Sequence, residues 1–337
     1  MQYRELGKTG IKVSVVGFGA LPIQRIDEKI AVEVLHKAFD LGMNFLDTGF
    51  RYSDSEYKVG LALKGRREGI TVATKSPARD KKGMAEHIQI SLKRLGTDYI
   101  DLYQLHNVKD MENLDKVLAP GGALEALKDA QKEGLIKHIG ISSHRKETLF
   151  VAMKQGFVDT IQVPFNAVET DEIEELLDLA EETNTGVIVM KPLAGGAFNN
   201  PTAALKFILK HRISIVIPGM DSLEQVIANA QVGTMETTLT EEEQKSLDID
   251  TAQLGAGFCR RCEYCLPCPM EINIPQIFIW ESYVDRYNLP EFARLRYQSS
   301  SKGVDNCIDC GKCESKCPYE LPIRKMLARA GEKLSQK

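Results

Sequence analysis

The chain has 337 residues, with 47 acidic and 43 basic side chains, a formal net charge of -4 and a sequence pI near 6.0. Acidic and basic residues are interspersed, which leaves no basic footprint for nucleic acid, and no apolar run approaches the length of a membrane span. The amino terminus shows no signal-peptide pattern, so a soluble, cytoplasmic chain in a reducing compartment is expected.

Between residues 3 and 13, short extended stretches flank Gly7-Lys8-Thr9-Gly10 and predict a hairpin. Beyond it, short apolar runs alternate with amphipathic helical stretches. Strands are predicted at 15–19, 44–47, 71–75 and 100–105, then at 138–142, 160–163, 186–190 and 215–217. Helices are predicted at 31–41, 55–63, 84–95 and 123–133, then at 147–154, 172–182, 202–210 and 223–230. Eight such strand and helix units make a (β/α)8 TIM barrel the expected α/β fold, its bottom closed by the hairpin and its active site at the carboxyl ends of the strands. An open doubly wound sheet is the competing arrangement. Against its nucleotide-binding form, Gly17-Phe18-Gly19-Ala20 lacks the third glycine and the helix start of a dinucleotide fingerprint.

Leu239-Thr240-Glu241-Glu242-Glu243 reads as a capped helix start, and a boundary near Asp250 gives a barrel over 1–250 and a small second domain over 251–337. The second domain is expected to be mostly α-helical, with a helical stretch over 274–297 broken at Pro290 and another helix after Pro322. All eight cysteines lie within it. Cys307, Cys310, Cys313 and Cys317, followed by Pro318, have the spacing that holds a 4Fe-4S cubane in bacterial ferredoxins. Cys259, Cys262, Cys265 and Cys268, followed by Pro269, are one residue shorter in the last gap, which leaves their closure open. Disulfides do not suit a reducing compartment, and two zinc sites would use paired knuckles with a longer spacer, so two 4Fe-4S clusters are expected. By analogy with the ferredoxins, Cys259, Cys262, Cys265 and Cys317 would hold one cluster, and Cys268, Cys307, Cys310 and Cys313 the other.

Polar residues at the carboxyl ends of barrel strands are where catalysis is expected. Asp47 ends the second predicted strand, Tyr52 follows in its loop, Lys75 ends the third and His106 ends the fourth. Singly, each has a structural explanation: turn cap, rim packing, solvated cation or core histidine. Together they resemble the tetrad of the aldo-keto reductases, in the local settings Gly42-Met43-Asn44-Phe45-Leu46-Asp47-Thr48, Tyr52-Ser53-Asp54-Ser55-Glu56, Thr74-Lys75 and Asp101-Leu102-Tyr103-Gln104-Leu105-His106. The resemblance runs from residue 3 to about 231, and the remainder is similar to a subgroup with a carboxyl-terminal ferredoxin-like extension. It implies an NAD(P)H-dependent oxidoreductase that interconverts a small carbonyl compound and its alcohol. Tyr52 would give a proton to the nascent alkoxide, Lys75 would lower the Tyr52 pKa, Asp47 would hold Lys75, and His106 would orient the substrate carbonyl.

The same resemblance supplies coenzyme contacts. Gln162 matches a residue that binds the nicotinamide amide, Ser142 matches the family serine while Ser143 stands where asparagine is usual, and Met190 takes the place of a stacking aromatic ring. In Ile217-Pro218-Gly219-Met220-Asp221-Ser222 no cation stands where family members often grip the adenosine 2'-phosphate. Asp221 suits a ribose hydroxyl better, which favours NADH over NADPH, and Asn229 matches a residue near adenine. Phe18, Leu21, Phe50 and Trp280 are candidates to line the substrate pocket. The clusters could wall that pocket, take electrons from an external carrier or report oxygen. The alternative function is a nucleotide-binding electron-transfer or redox-sensing protein with little carbonyl turnover.

Overall fold

The computed structural model describes residues 1–255, 257–260, 263–317 and 319–335. The chain divides into two compact units, Met1–Leu193 with Asn200–Gln244, and Ala194–Asn199 with Lys245–Lys337. Among the described residues, no helix is long and apolar enough to cross a membrane.

In the first unit, β1 (Tyr3–Glu5) and β2 (Lys12–Ser14) form the expected antiparallel hairpin. Then come β3 (Phe18–Gly19), β4 (Phe45–Asp47), β5 (Thr71–Ser76) and β6 (Ile100–Leu105), followed by β7 (Ile136–Ser142), β8 (Thr160–Pro164), β9 (Gly186–Met190) and β10 (Ile215–Val216). These eight strands are parallel and ordered as they occur in the chain. The first and last of them meet through the bridges Val16 to Val216 and Gly19 to Gly219, with Gly17 N–H donating to the Val216 carbonyl at 2.9 Å. That closure makes the sheet a barrel and excludes the open sheet.

The first helices are α1 (Glu28–Asp40), α2 (Ser55–Leu63), α3 (Lys81–Leu95), α4 (Met111–Leu118) and α5 (Ala123–Lys132). They are followed by α6 (Lys146–Lys154), α7 (Ile173–Glu182), α8 (Pro201–Leu209) and α9 (Leu223–Val232). Their apolar stripes and the outward face of the sheet bury one continuous core, including Phe18, Leu35, Ile88, Tyr103, Leu127, Ile161 and Leu205. Helix α4 is absent from the predicted elements. It carries only Leu114 and Val117 as buried residues and owes its start to Asp110, whose carboxylate accepts from Asn113 N–H at 2.8 Å.

Helix α10 (Glu241–Gly255) begins with a reciprocal cap. Thr240 Oγ1 accepts from Glu243 N–H at 3.2 Å, and Glu243 Oε2 accepts from Thr240 N–H at 2.9 Å. The second unit continues with α11 (Ile274–Asp285), α12 (Pro290–Gln298) and α13 (Ile323–Ser335), so the stretch from 274 is helical with its break before Pro290 as expected. Ile277, Phe278, Ala293, Tyr297, Met326, Leu327 and Leu334 form its core. Glu281 is buried among them and is paired with Arg329 at 2.7 Å and Lys333 at 3.2 Å, which ties α11 to α13. Asp250 accepts from the backbone and side-chain amides of Asn199 at 2.8 and 2.6 Å.

The hairpin seats tightly at the start of β9. Gly7 has φ of 54°, and a Cβ there would lie 2.2 Å from the Gly186 nitrogen. Gly7→Ala therefore meets both a left-handed backbone and a backbone clash, and should cost more than about 2 kcal/mol of stability in urea unfolding.

Candidate active site and cysteine cavity

Side chains two apart on a strand share a face. Inward-pointing Phe45, Ala73, Leu102, Ile188 and Ile215 pack with Leu6 and Val13 into an apolar layer inside the barrel. Two residues beyond Phe45, Ala73 and Leu102 come Asp47, Lys75 and Gln104, and His106 follows after two more. The strand register thus places a polar layer directly on an apolar one.

Lys75 Nζ donates to Asp47 Oδ1 at 2.5 Å and to the Thr48 carbonyl at 2.7 Å, with only 2% and 5% of the Lys75 and Asp47 side chains exposed. Gln104 Nε2 donates to Asp47 Oδ2 at 3.1 Å, and Gln162 Nε2 lies 3.4 Å from Oδ1. Tyr52 sits in the turn before α2, where its ring centroid is 5.0 Å from Lys75 Nζ and 5.9 Å from the His106 ring, met edge-on at 87°. The four residues expected in the tetrad lie together. Gln104 was not among them, although its position two residues before His106 carries the signal.

Tyr52 is part-exposed at its own surface but surrounded by protein. Burial raises its pKa above the ordinary phenol value and outweighs the Lys75 charge, which pulls it down; Asp47 adds to the rise. This corrects the expectation that Lys75 leaves Tyr52 with a lowered pKa. Burial alone would lower the Lys75 pKa, but Asp47, then Tyr52, turn the shift upward. His106 is pushed down to about 3 by burial and by the charges of Lys75, Arg79 and Arg51, so its imidazole is neutral at pH 7. Its Nδ1 is buried without a hydrogen-bond partner.

The residues expected to hold a coenzyme occupy the ends of later strands and helix α9. Gln162 Oε1 is buried and unpartnered, which fits an incoming amide donor. Ser142 Oγ accepts from Asn107 N–H at 2.9 Å, Met190 packs on the barrel's interior layer, and Asn229 is buried on α9. Asp221 precedes the Ser222 cap of α9 and faces a cation that the local sequence does not reveal, Arg25, whose Nη1 lies 3.8 Å from Asp221 Oδ2. The segment carrying Arg25 lies close to this loop, for a Cβ on Gly219 would meet Pro22 Cγ at 2.7 Å. Of the proposed pocket residues, Phe18 is fully buried in the core between sheet and helices, Phe50 stacks on His87 at 3.6 Å, Leu21 is 39% exposed, and Trp280 packs edge-on to Tyr297.

In the second unit, Cys265, Cys268, Cys307, Cys310 and Cys313 line one cavity. Cys259 and Cys317 are not on this lining, and Cys262 lies outside the described residues. Among the described residues, no three His, Cys, Asp or Glu side chains converge closely enough to hold a metal ion. Thiols spread around a cavity suit a cluster several ångström across, and their chemistry is that of iron–sulfur ligands.

A sequence profile of the Aldo/keto reductase family matches residues 15–202, and one of a 4Fe-4S dicluster domain matches 258–322. The uncharacterized oxidoreductase YqkF of Bacillus subtilis is 30% identical over 307 residues, covering 75% of this chain and 97% of that protein. L-galactose dehydrogenase of Arabidopsis thaliana is 29% identical over 303 residues, covering 74% of this chain and 92% of its own length. Among solved structures, the holo form of aldo-keto reductase AKR11C1 from Bacillus halodurans aligns with a TM-score of 0.65 and 30% identity, covering 74% of this chain and 96% of that one. A Klebsiella pneumoniae aldo-keto reductase in complex with NADPH shares the fold at a TM-score of 0.64 and 24% identity, with 74% and 95% covered. The chain belongs to the aldo/keto reductase family and carries a 4Fe-4S dicluster domain in its carboxyl-terminal part.

Proposed function

We propose that this chain reduces the carbonyl of a small aldehyde or ketone to an alcohol, or runs the reverse reaction, at Asp47, Tyr52, Lys75 and His106. In this reading the barrel over 1–250 performs the reaction, and 251–337 holds two 4Fe-4S clusters through its eight cysteines. The buried Lys75 to Asp47 pair, with Tyr52 and His106 beside it, is the observation that carries the proposal. A nicotinamide coenzyme, when bound, supplies the hydride, and the clusters supply single electrons.

Tyr52, an ordinary phenol donor whose pKa burial raises further, is protonated at neutral pH and so holds the proton that a forming alkoxide needs. Lys75 places a fixed positive charge beside the phenol, stabilising the phenolate left after transfer, while Asp47 keeps that ammonium charged inside the barrel. Neutral His106 can direct a ring N–H at the substrate oxygen without adding a second cation. Gln162, Ser142, Met190, Asp221 and Asn229 are the proposed coenzyme contacts. Asp221 favours NADH by repelling a 2'-phosphate, and Arg25 at 3.8 Å offsets part of that charge, so the preference is modest. A second reading, electron exchange with an external carrier, is favoured by Cys310, which is exposed to solvent.

Tyr52→Phe should lower carbonyl turnover by about 10²–10⁴-fold while coenzyme affinity, read by fluorescence titration, changes little. Retained turnover would sink the assignment. Anaerobic purification should return iron and acid-labile sulfide for two cubanes per chain. Bleaching of cluster absorbance by NADH in the absence of a carbonyl substrate would favour the second reading. Because the His106 pKa falls from 6.5 to about 3 on folding, the unfolded chain binds the extra proton between those values, and stability drops as pH falls through that window. His106→Gln should therefore show a shallower loss of urea resistance between about pH 7 and pH 5 than the parent.

A further inference from the structure

The cavity that gathers Cys265, Cys268, Cys307, Cys310 and Cys313 is otherwise walled mostly by apolar side chains, Met270, Ile272, Ile274 and Leu327 among them. Among the described residues of that lining, Arg324 is the one charged side chain. It stands in the first turn of α13, where its backbone N–H and Nε both donate to the Glu314 carboxylate, at 2.9 and 2.8 Å. Its Nη1 reaches Asp309 at 3.4 Å. The guanidinium also lies against the cysteine loop, for a Cβ on Gly311 would sit 3.7 Å from Arg324 Cζ. Glu314 and Asp309 thus hold a half-exposed cation on the cavity lining, against the Gly311 turn.

We propose that Arg324, braced by Glu314, raises the reduction potential of the cluster held in this cavity and so makes the two clusters of the chain unequal; this rests on the reading of the cysteines given above. One-electron reduction adds a negative charge to the cluster. In an apolar wall that charge is poorly solvated, which holds the potential down, and an adjacent fixed cation stabilises the reduced form. Cys265, assigned above to the other cluster, also lines this cavity, but the guanidinium lies against Gly311, between Cys310 and Cys313, so the effect should fall mainly on the cluster those two thiols hold.

The test is an anaerobic potentiometric titration of the full chain with dithionite as the one-electron donor, followed by electron paramagnetic resonance, with iron and sulfide counted in parallel. In Arg324→Gln one of two midpoints should move down by the equivalent of a roughly tenfold change in the one-electron equilibrium, about 59 mV, while the other stays. Arg324→Lys, which keeps the charge, should recover most of the shift. Unchanged midpoints in a fully loaded Arg324→Gln protein, or equal shifts of both clusters, would overturn the proposal and leave the cysteine assignment standing. A parent protein without iron and sulfide would overturn the assignment itself. Should Arg324→Gln lose iron, Asp309→Asn decides. Removing that exposed carboxylate leaves Arg324 less compensated, so one midpoint should rise, and no movement would count against the idea.

Discussion

A charge pair sealed inside a barrel is the constraint around which the first unit is arranged. Lys75 and Asp47 are both nearly inaccessible, and removing two such charges from water costs several kcal/mol per ion unless attraction and hydrogen bonds restore it. The restoration is visible in the Thr48 carbonyl, Gln104 and Gln162, which together satisfy the pair. It depends on the sheet as well. Thr48 N–H donates to the Ala73 carbonyl and Phe50 N–H to the Lys75 carbonyl, each at 2.9 Å, so the turn that carries Tyr52 is tied to the strand that carries Lys75. A buried pair of this kind is a poor way to gain stability, and its retention makes sense as a means of holding an ammonium in one place.

The second unit handles charge in a different manner. Its buried carboxylate, Glu281, is answered by Arg329 and Lys333 and serves to join two helices. The guanidinium on the lining of the cysteine cavity is held by the Glu314 and Asp309 carboxylates. The barrel therefore seals its charge pair away from water, whereas the cavity carries on its lining a cation that is paired with carboxylates and 41% exposed, beside residues suited to an anionic cluster.

Much of this was legible in the residues. Alternating apolar and amphipathic segments gave all eight barrel strands, and the polar residues ending them pointed to Asp47, Lys75 and His106. Helix α4 escaped because the pattern already had Ala123 onward to serve the fourth strand, and its eight residues depend on the Asp110 cap. Gln104 escaped because its one signal is its place two residues before His106, on the same face of the strand, and its Asp47 partner comes from another strand. The direction of the Tyr52 shift was misjudged for a related reason: the charge of Lys75 can be read from the sequence, but the burial that outweighs it cannot. Arg25 is far from Asp221 in the chain and reaches it only because the barrel closes on itself. Two cysteine runs suggested two ligand sets, yet Cys265 borders the same cavity as Cys268, a consequence of packing that spacing does not encode.

The contact between Gly219 and Pro22 limits how this barrel can be altered by point mutation. Any larger residue at 219 would have to displace a proline ring beside the seam where the first and last strands meet, so a lysine or arginine introduced there would disturb closure before it could help hold a phosphate. Under the coenzyme contacts proposed above, the place open to change is the neighbouring pair of opposite charges, Arg25 and Asp221, where a single replacement changes the local electrostatics without asking the backbone to move.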